Sequence, residues 1–202
     1  AIIALSLALE GKTAKDAFLF AKFKQFIQDY NKQYASIEDY TTAYKNFVEN
    51  YKRVESYQMI GSSHKAGVTK FFDMTFEQFS QNYLTLNKSQ MKVQATNHII
   101  SKLENAPKSF DWREKEGIVG PVTDQKSCGS CWAFSTIGSV ESIHAIVKGS
   151  YIRLSEQQLV DCAKSTHGCQ GGWMGDALKD TIEIGGFMKG EDYPYHAVDQ
   201  EC

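Results

Sequence analysis

The sequence predicts a mainly helical chain built in two parts of different character. Three observations predict it. Large apolar residues recur at helical spacing between Leu19 and Val54. All five cysteines lie after residue 127. From Ala106 onward the composition turns to Gly, Cys and Trp. The length of 202 residues suits one ordinary domain or two small ones. Hydrophobic residues make up 42% and charged residues 23%, the balance of a globular protein with a real core. The net charge of -2 carries no basic excess, which argues against a nucleic-acid partner.

Each element has a local signal. Residues 1–9, AIIALSLAL, are apolar apart from Ser6 and too short to span a bilayer; they resemble a signal-peptide core without its Met and charged start, the alternative being a cloning remnant or a short buried helix. The signal reading covers residues 1–10 and implies no membrane span. Thr13 with Asp16 can cap a helix, and Leu19, Phe23, Phe26 and Tyr30 then form one apolar stripe. A second stripe follows Ser36 through Ile37, Tyr40, Tyr44, Phe47, Tyr51 and Val54. These aromatics are read as the packing between two helices, not as a ligand site. Gly67 suits a turn, and Thr69, Phe71 and Phe72 suit a short strand. Thr75 with Gln78 is a capping box for a further short helix. Residues 85–105 are polar and without period, an extended connector. Within it, Asn87-Lys88-Ser89 is a glycosylation acceptor if the chain is secreted.

Pro107 and Trp112 open the second part. A helix starts at Ser130 or Cys131 and places Ala133, Ile137, Val140, His144 and Val147 on one apolar face, which makes His144 a core histidine. Lys148 and Gly149 end it. Ser155 with Gln158 starts a short helix through Cys162, and a weaker helical run goes from Asp176 to Ile184, ended by Gly185-Gly186. The sequence has no internal repeat.

The stretch DQKSCGSCWAFST, residues 124–136, admits three readings. A redox pair would exchange both Cys128 and Cys131 with substrates. Here Trp132 follows the second cysteine and no strand pattern precedes the first, against the thioredoxin-like arrangement. Zinc would want closely paired ligands, and Cys162 and Cys169 stand seven apart. The third reading uses all five cysteines, one as nucleophile and four in two bridges. Cys131 begins a helix, where free N–H groups and the dipole favour a thiolate over a thiol. Two bridges suit an oxidising compartment. Spacing does not choose among the connectivities.

The segment QKSCGSCWAFS resembles the active-site segment of the papain-like cysteine proteases, the cathepsin L type especially. DWREKEGIVGPVTDQ is similar to the start of the mature enzyme, and LSEQQLVDC, GCQGGWM and YPYHAVDQEC are similar to the later blocks, in family order. The first half resembles the family's inhibitory pro-region. Its helical motif falls on Asp39, Ala43, Phe47, Asn50, Val54 and Gln58, with Ala43 and Gln58 departing from it. Its next motif falls on Gly67, Thr69, Phe71 and Asp73, with Thr69 departing. The fold implied is α+β, of which this chain covers the helical pro-region and the mainly helical first subdomain. The parts implied are a pro-domain over 11–84, the connector over 85–105, and the first portion of the peptidase domain over 106–202.

The resemblance also implies roles. Cys131 is the nucleophile, and Gln125 supplies a side-chain donor to the oxyanion hole beside the N–H of Cys131. Trp132 packs over the catalytic dyad. Cys128 pairs with Cys169, and Cys162 with Cys202. Gly171 and Gly172 let a substrate backbone approach, and Trp173 and Met174 line the pocket for the substrate's second residue, the plain alternative for that pair being packing. Lys126 stands where the family has Gly. The expected partners are polypeptide substrates and the chain's own pro-region, whose connector lies across the cleft. A monomer on the secretory route is expected, in a lysosome or vacuole or outside the cell, without cofactor or metal.

The family's catalytic His follows its Cys by about 130 to 150 residues. This chain continues for 71 residues after Cys131, and none of His64, His98, His144, His167 and His196 falls in the family's motif. The expectation is therefore a precursor fragment that lacks the catalytic His and Asn, does not itself turn over substrate, and exposes the apolar face that a second subdomain would cover. The competing reading is a non-catalytic inhibitor of the pro-region type, against which the complete segment around Gln125 and Cys131 speaks. Asp73 is expected to hold the pro-region by charge pairing that acid would weaken.

Overall fold

The computed structural model describes residues 13–58, 63–86 and 107–202. The signal-peptide reading of residues 1–10, the Asn87 acceptor and most of the connector lie outside the described residues. The chain divides into two compact units, parted between Phe79 and Ser80.

The first unit is a pair of helices, α1 over Ala14–Asp29 and α2 over Ile37–Gln58. Thr13 caps α1 reciprocally with Asp16: each backbone N–H donates to the other's side chain at 3.2 Å. Ser36 caps α2 by accepting from the Asp39 N–H at 3.0 Å. The stripes interlock around Phe23, which is fully buried with ring centroids of Tyr44, Phe47 and Tyr40 at 5.2, 5.3 and 5.3 Å. Phe20, Phe26, Ala43 and Phe72 complete that core. Ile37, in the first turn of α2, is exposed and does not join it.

The strand expected over Thr69–Phe72 is not formed. The backbone turns instead, with Phe72 N–H donating to Thr69 O and Met74 N–H to Phe71 O, each at 3.0 Å. The carbonyls a strand would pair are taken by amides from α2. Asn50 donates to Phe72 O at 3.0 Å and Met74 O at 2.9 Å, and Asn46 donates to Asp73 O at 3.0 Å. The Asp73 carboxylate accepts from Lys32 Nζ at 2.9 Å and Tyr34 OH at 3.0 Å, so its charge is paired within this unit. Burial, then the nearby Asp73 charge, push the Tyr34 phenol far above its ordinary range. The helix α3, Phe76–Tyr83, starts at the expected capping box, with Gln78 N–H donating to Thr75 Oγ1 at 3.2 Å and Thr75 N–H to Gln78 Oε1 at 2.8 Å.

The second unit is organised on α4, Cys131–Lys148, which ends at Gly149 in the left-handed conformation, φ 73°. Two shorter helices pack against it: α5, Glu156–Cys162, capped by Ser155, and α6, Met174–Ile184, ended by Gly185 at φ 99°. Trp132, Ala133, Ile137, Leu159, Val160, Ala163 and Ala177 form the core. No strand occurs among the described residues, only one antiparallel bridge between Leu154 and Lys189. No described helix is long and apolar enough to cross a membrane.

The buried stripe of α4 differs from the expected one. It runs through Ala133, Ile137, Glu141 and Ala145, with Trp132 and Thr136 beside it. Val147 is 69% exposed, and His144 is half-buried with Nδ1 2.9 Å from Ser150 O, so it is not a core histidine. The reason is Glu141. Its buried carboxylate accepts from Tyr151 OH and Arg153 Nη1, both at 2.8 Å, and from Leu154 N–H at 2.7 Å. Three donors satisfy a charge on the core side that a hydrophobic pattern places outside. The apolar residues turned outward, Val140, Ile143, Val147 and Leu178, line an open groove of about 400 Å³ between α4 and α6.

The same network sets an alkaline limit. Burial, reinforced by the Glu141 bond, pushes Tyr151 up to about 12. An unfolded tyrosine titrates near pH 10, so the folded state holds this proton more tightly. The resulting stability is whole below about pH 10 and is lost as pH rises through about 12. Denaturant midpoints measured from pH 9 to 12 should fall along that range. Tyr151→Phe should remove about one proton from the slope.

Candidate active site

Four of the five cysteines are bridged: Cys128 to Cys169, with Cα atoms 4.7 Å apart, and Cys162 to Cys202, 5.0 Å apart. Cys131 is the free thiol and is exposed at the first position of α4. The early N–H groups of a helix lack intrahelical acceptors, so this position faces bare donors. Immediately before it, the loop from Gln125 to Ser130 folds back on itself. Gln125 Nε2 donates to Cys128 O at 2.8 Å, which uses one of its two amide protons and leaves the other to present. Lys126, in the position where the resemblance has Gly, sits at φ 54°. Its N–H donates to Asp124 Oδ1 at 2.9 Å, which steadies a conformation costly for a residue with a Cβ.

The bridge to Cys169 carries the loop to the segment Gly168–Trp173. Gly129 N–H donates to Cys169 O at 2.9 Å. Asp199 Oδ1 accepts the Cys169 N–H at 2.7 Å and fills the space beside Gly168. Gly171, at φ 112°, takes the backbone of Thr85 on its open side: a Cβ there would lie 2.5 Å from Thr85 O. The Thr85 hydroxyl donates to Gly129 O at 3.1 Å. Gly172 answers a different need, since its Cβ would lie 2.7 Å from the Trp132 ring.

Trp132 departs from the cover role that the resemblance gives it. It is buried, its ring lies under Gly172, and its Nε1 donates to Gly168 O at 3.0 Å. The indole is the floor of the glycine segment. Trp173 is the N-cap residue of α6 and half-buried, and Met174 packs against the α4–α5 core, the plain packing alternative for that residue. Among the described residues no cluster of His, Cys, Asp or Glu is arranged to hold a metal, and no hydrogen bond joins Cys131 to an imidazole.

Sequence reasoning missed Thr85, Ser130, Tyr195 and Asp199. All four act through hydrogen bonds across 30 to 70 residues, which leave no local pattern.

Comparison with known proteins gives the family. The family model described as papain family cysteine protease matches residues 106–202, and that of the cathepsin propeptide inhibitor domain (I29) matches residues 23–79. Among curated relatives, falcipain-2b of Plasmodium falciparum is 39% identical over 188 residues, covering 86% of this chain and 39% of its own length. Cysteine proteinase 15A of Pisum sativum is 38% identical, covering 89% of this chain and 52% of its own length. Pro-cathepsin H of Mus musculus is 34% identical, covering 89% and 54%. The chain thus spans about half the length of these relatives or less. Among solved structures, the digestive procathepsin L2 proteinase of Tenebrio molitor superposes with TM-score 0.80 at 33% identity, over 91% of this chain and 62% of that one. The proform of the ragweed pollen allergen Amb a 11 gives 0.82 at 28% identity, over 95% and 59%. A free cysteine opening a helix beside a glutamine loop, preceded by a propeptide module, identifies the group: the chain belongs to the papain family of cysteine proteases.

Proposed function

We propose that this sequence is the pro-region and first protease portion of a cysteine-type endopeptidase precursor. The observation that carries the reading is the meeting of the one free, exposed cysteine with Gln125 in a single loop at the start of α4. The Cys131 thiolate attacks the scissile carbonyl carbon, whose oxygen takes the negative charge. The Cys131 N–H and the free proton of the Gln125 amide receive that oxyanion. Collapse breaks the C–N bond, the amine leaves with a proton from an acid, and the thioester is then cleaved by water. The acid requires an imidazole, which the described residues do not bring to Cys131. Residues 1–202 alone are therefore not expected to turn over substrate.

The parts proposed are an inhibitory pro-domain over 11–84, a connector over 85–105 and protease residues from 106. Thr85, laid on Gly171 and bonded to Gly129, supports a connector that occupies the substrate's path. Gly171 is the position proposed to pair with substrate backbone, with Trp173 beside it. Two disulfides support passage through an oxidising, secretory compartment. The match of 106–202 to the protease family favours this over a purely inhibitory protein. The test is inhibition in trans. A peptide of residues 11–105 should block hydrolysis by the processed enzyme, and one shortened to 11–84 should block it at least about tenfold less well, a loss of about 1.4 kcal/mol. Equal inhibition by both would remove the connector from the cleft.

A further inference from the structure

The loop that carries Gln125 and Cys131 is held at both ends by one atom from far along the chain. Tyr195 OH donates to Gln125 O at 2.8 Å. A phenol has a single proton, so in its 2.6 Å contact with Ser130 Oγ the serine is the donor. One oxygen therefore ties residue 125 to residue 130. The ring itself packs edge-on against Phe134 in the first turn of α4, centroids 4.9 Å apart. Burial is the main cause that raises the Tyr195 phenol, so the donor remains protonated across neutral pH.

Two features show what this tie does. Ser130 is the N-cap residue of α4, yet its side chain makes no cap bond to the helix. Serine at this position ordinarily caps, and here its hydroxyl is committed to Tyr195. Within the same loop Lys126 is held at φ 54°, a conformation the chain relaxes from when free to do so. The anchor is firm at its other end. Tyr193 OH donates to Asp161 Oδ2 at 2.9 Å, and His196 N–H to Gln157 Oε1 at 2.8 Å. Gln157 is fully buried, and Cys202 is bridged to Cys162 at the end of α5.

We infer that Tyr195 is a positioning residue for the proposed reaction: its hydroxyl fixes the separation between Gln125 and the start of α4, and so between the two oxyanion donors and the thiol. The inference rests on the reading of Cys131 and Gln125 given above. Tyr195 touches no substrate and acts only through the loop.

The test uses the full chain and two variants. Tyr195→Phe keeps the ring and removes the tie. Tyr193→Phe removes a neighbouring hydroxyl bond of the same segment and leaves the tie. Amide hydrogen exchange over residues 125–131 should speed at least about tenfold in Tyr195→Phe and stay unchanged in Tyr193→Phe. Iodoacetamide reaction at Cys131 should slow about three- to tenfold at pH 7 in Tyr195→Phe. Ser130→Ala, which removes the other half of the tie, should move both readouts in the same direction. Unchanged exchange in Tyr195→Phe, or equal effects of the two tyrosine variants, would overturn the inference. A loosened loop with an unaltered Cys131 rate would make the tie structural only, which also overturns it. Separately, a wild-type Cys131 that takes no label from iodoacetamide would remove the nucleophile reading, and the positioning role with it.

Discussion

Cys131→Ser in the processed protease is expected to lower kcat/KM for a fluorogenic peptide by at least about a thousandfold. A serine hydroxyl at the start of a helix stays protonated, and the bare N–H groups there stabilise a thiolate far more readily than an alkoxide. The thiol at this place is the only unbridged one of these five, so none of the other four can substitute. Gln125→Ala should act differently. It removes one donor that matters when the oxyanion forms, so kcat should fall about 10²- to 10³-fold with KM little changed. The Cys128 carbonyl would keep the Ser130 N–H, at 2.8 Å, and the disulfide to Cys169 would keep the loop closed. A Cys131→Ser enzyme that kept more than about a tenth of its activity would rule out this nucleophile.

The largest stability loss outside the aromatic core is expected at Glu141. Its carboxylate is 6% exposed and bonds three groups: Arg153, at 2.8 Å, the Tyr151 hydroxyl and the Leu154 amide. Glu141→Ala takes the acceptor from the Tyr151 hydroxyl and the Leu154 N–H, while Arg153 Nη1 keeps only Leu154 O, at 3.2 Å. Arg153 retains Glu156, at 2.5 Å, which limits the cost to its remaining N–H groups. Removing one member of a buried ion pair costs about 3–5 kcal/mol, and an exposed pair under about 1 kcal/mol. Arg153 is 37% exposed at its side chain, so the lower end of that range is expected. Urea denaturation of the second unit's signal measures it. Glu141→Gln should recover part of the loss, since an amide oxygen still accepts from Leu154 and Tyr151. A change below about 1 kcal/mol for Glu141→Ala would mean that the network is replaced by water.

The sequence made legible whatever rests on neighbours three or four residues apart. Thr13 with Asp16, Thr75 with Gln78 and Ser155 with Gln158 each cap a helix at the stated place. The aromatic stripes met around Phe23 because repeat spacing alone turns those rings to one side. What the sequence hid was decided by polar groups acting at a distance. Glu141 rotated the buried face of α4 because Tyr151 and Arg153, out of its pattern, satisfy it. The expected strand at Phe71–Phe72 became a turn because Asn46 and Asn50 reach its carbonyls from another helix. In the site, Gln125 and Cys131 were legible from one segment. Tyr195 was not, since nothing in a tyrosine between Pro194 and His196 says which carbonyl it will meet 70 residues earlier.

The central claim is that Cys131 alone among the cysteines is a reactive nucleophile. The most direct measurement treats the full chain at pH 7 with one equivalent of iodoacetamide, without reductant, and maps the label by peptide mass. The account predicts a single carbamidomethyl group on Cys131 and two intact bridges, Cys128–Cys169 and Cys162–Cys202. Label spread over Cys128 or Cys169, with Cys131 found in a bridge, would contradict it.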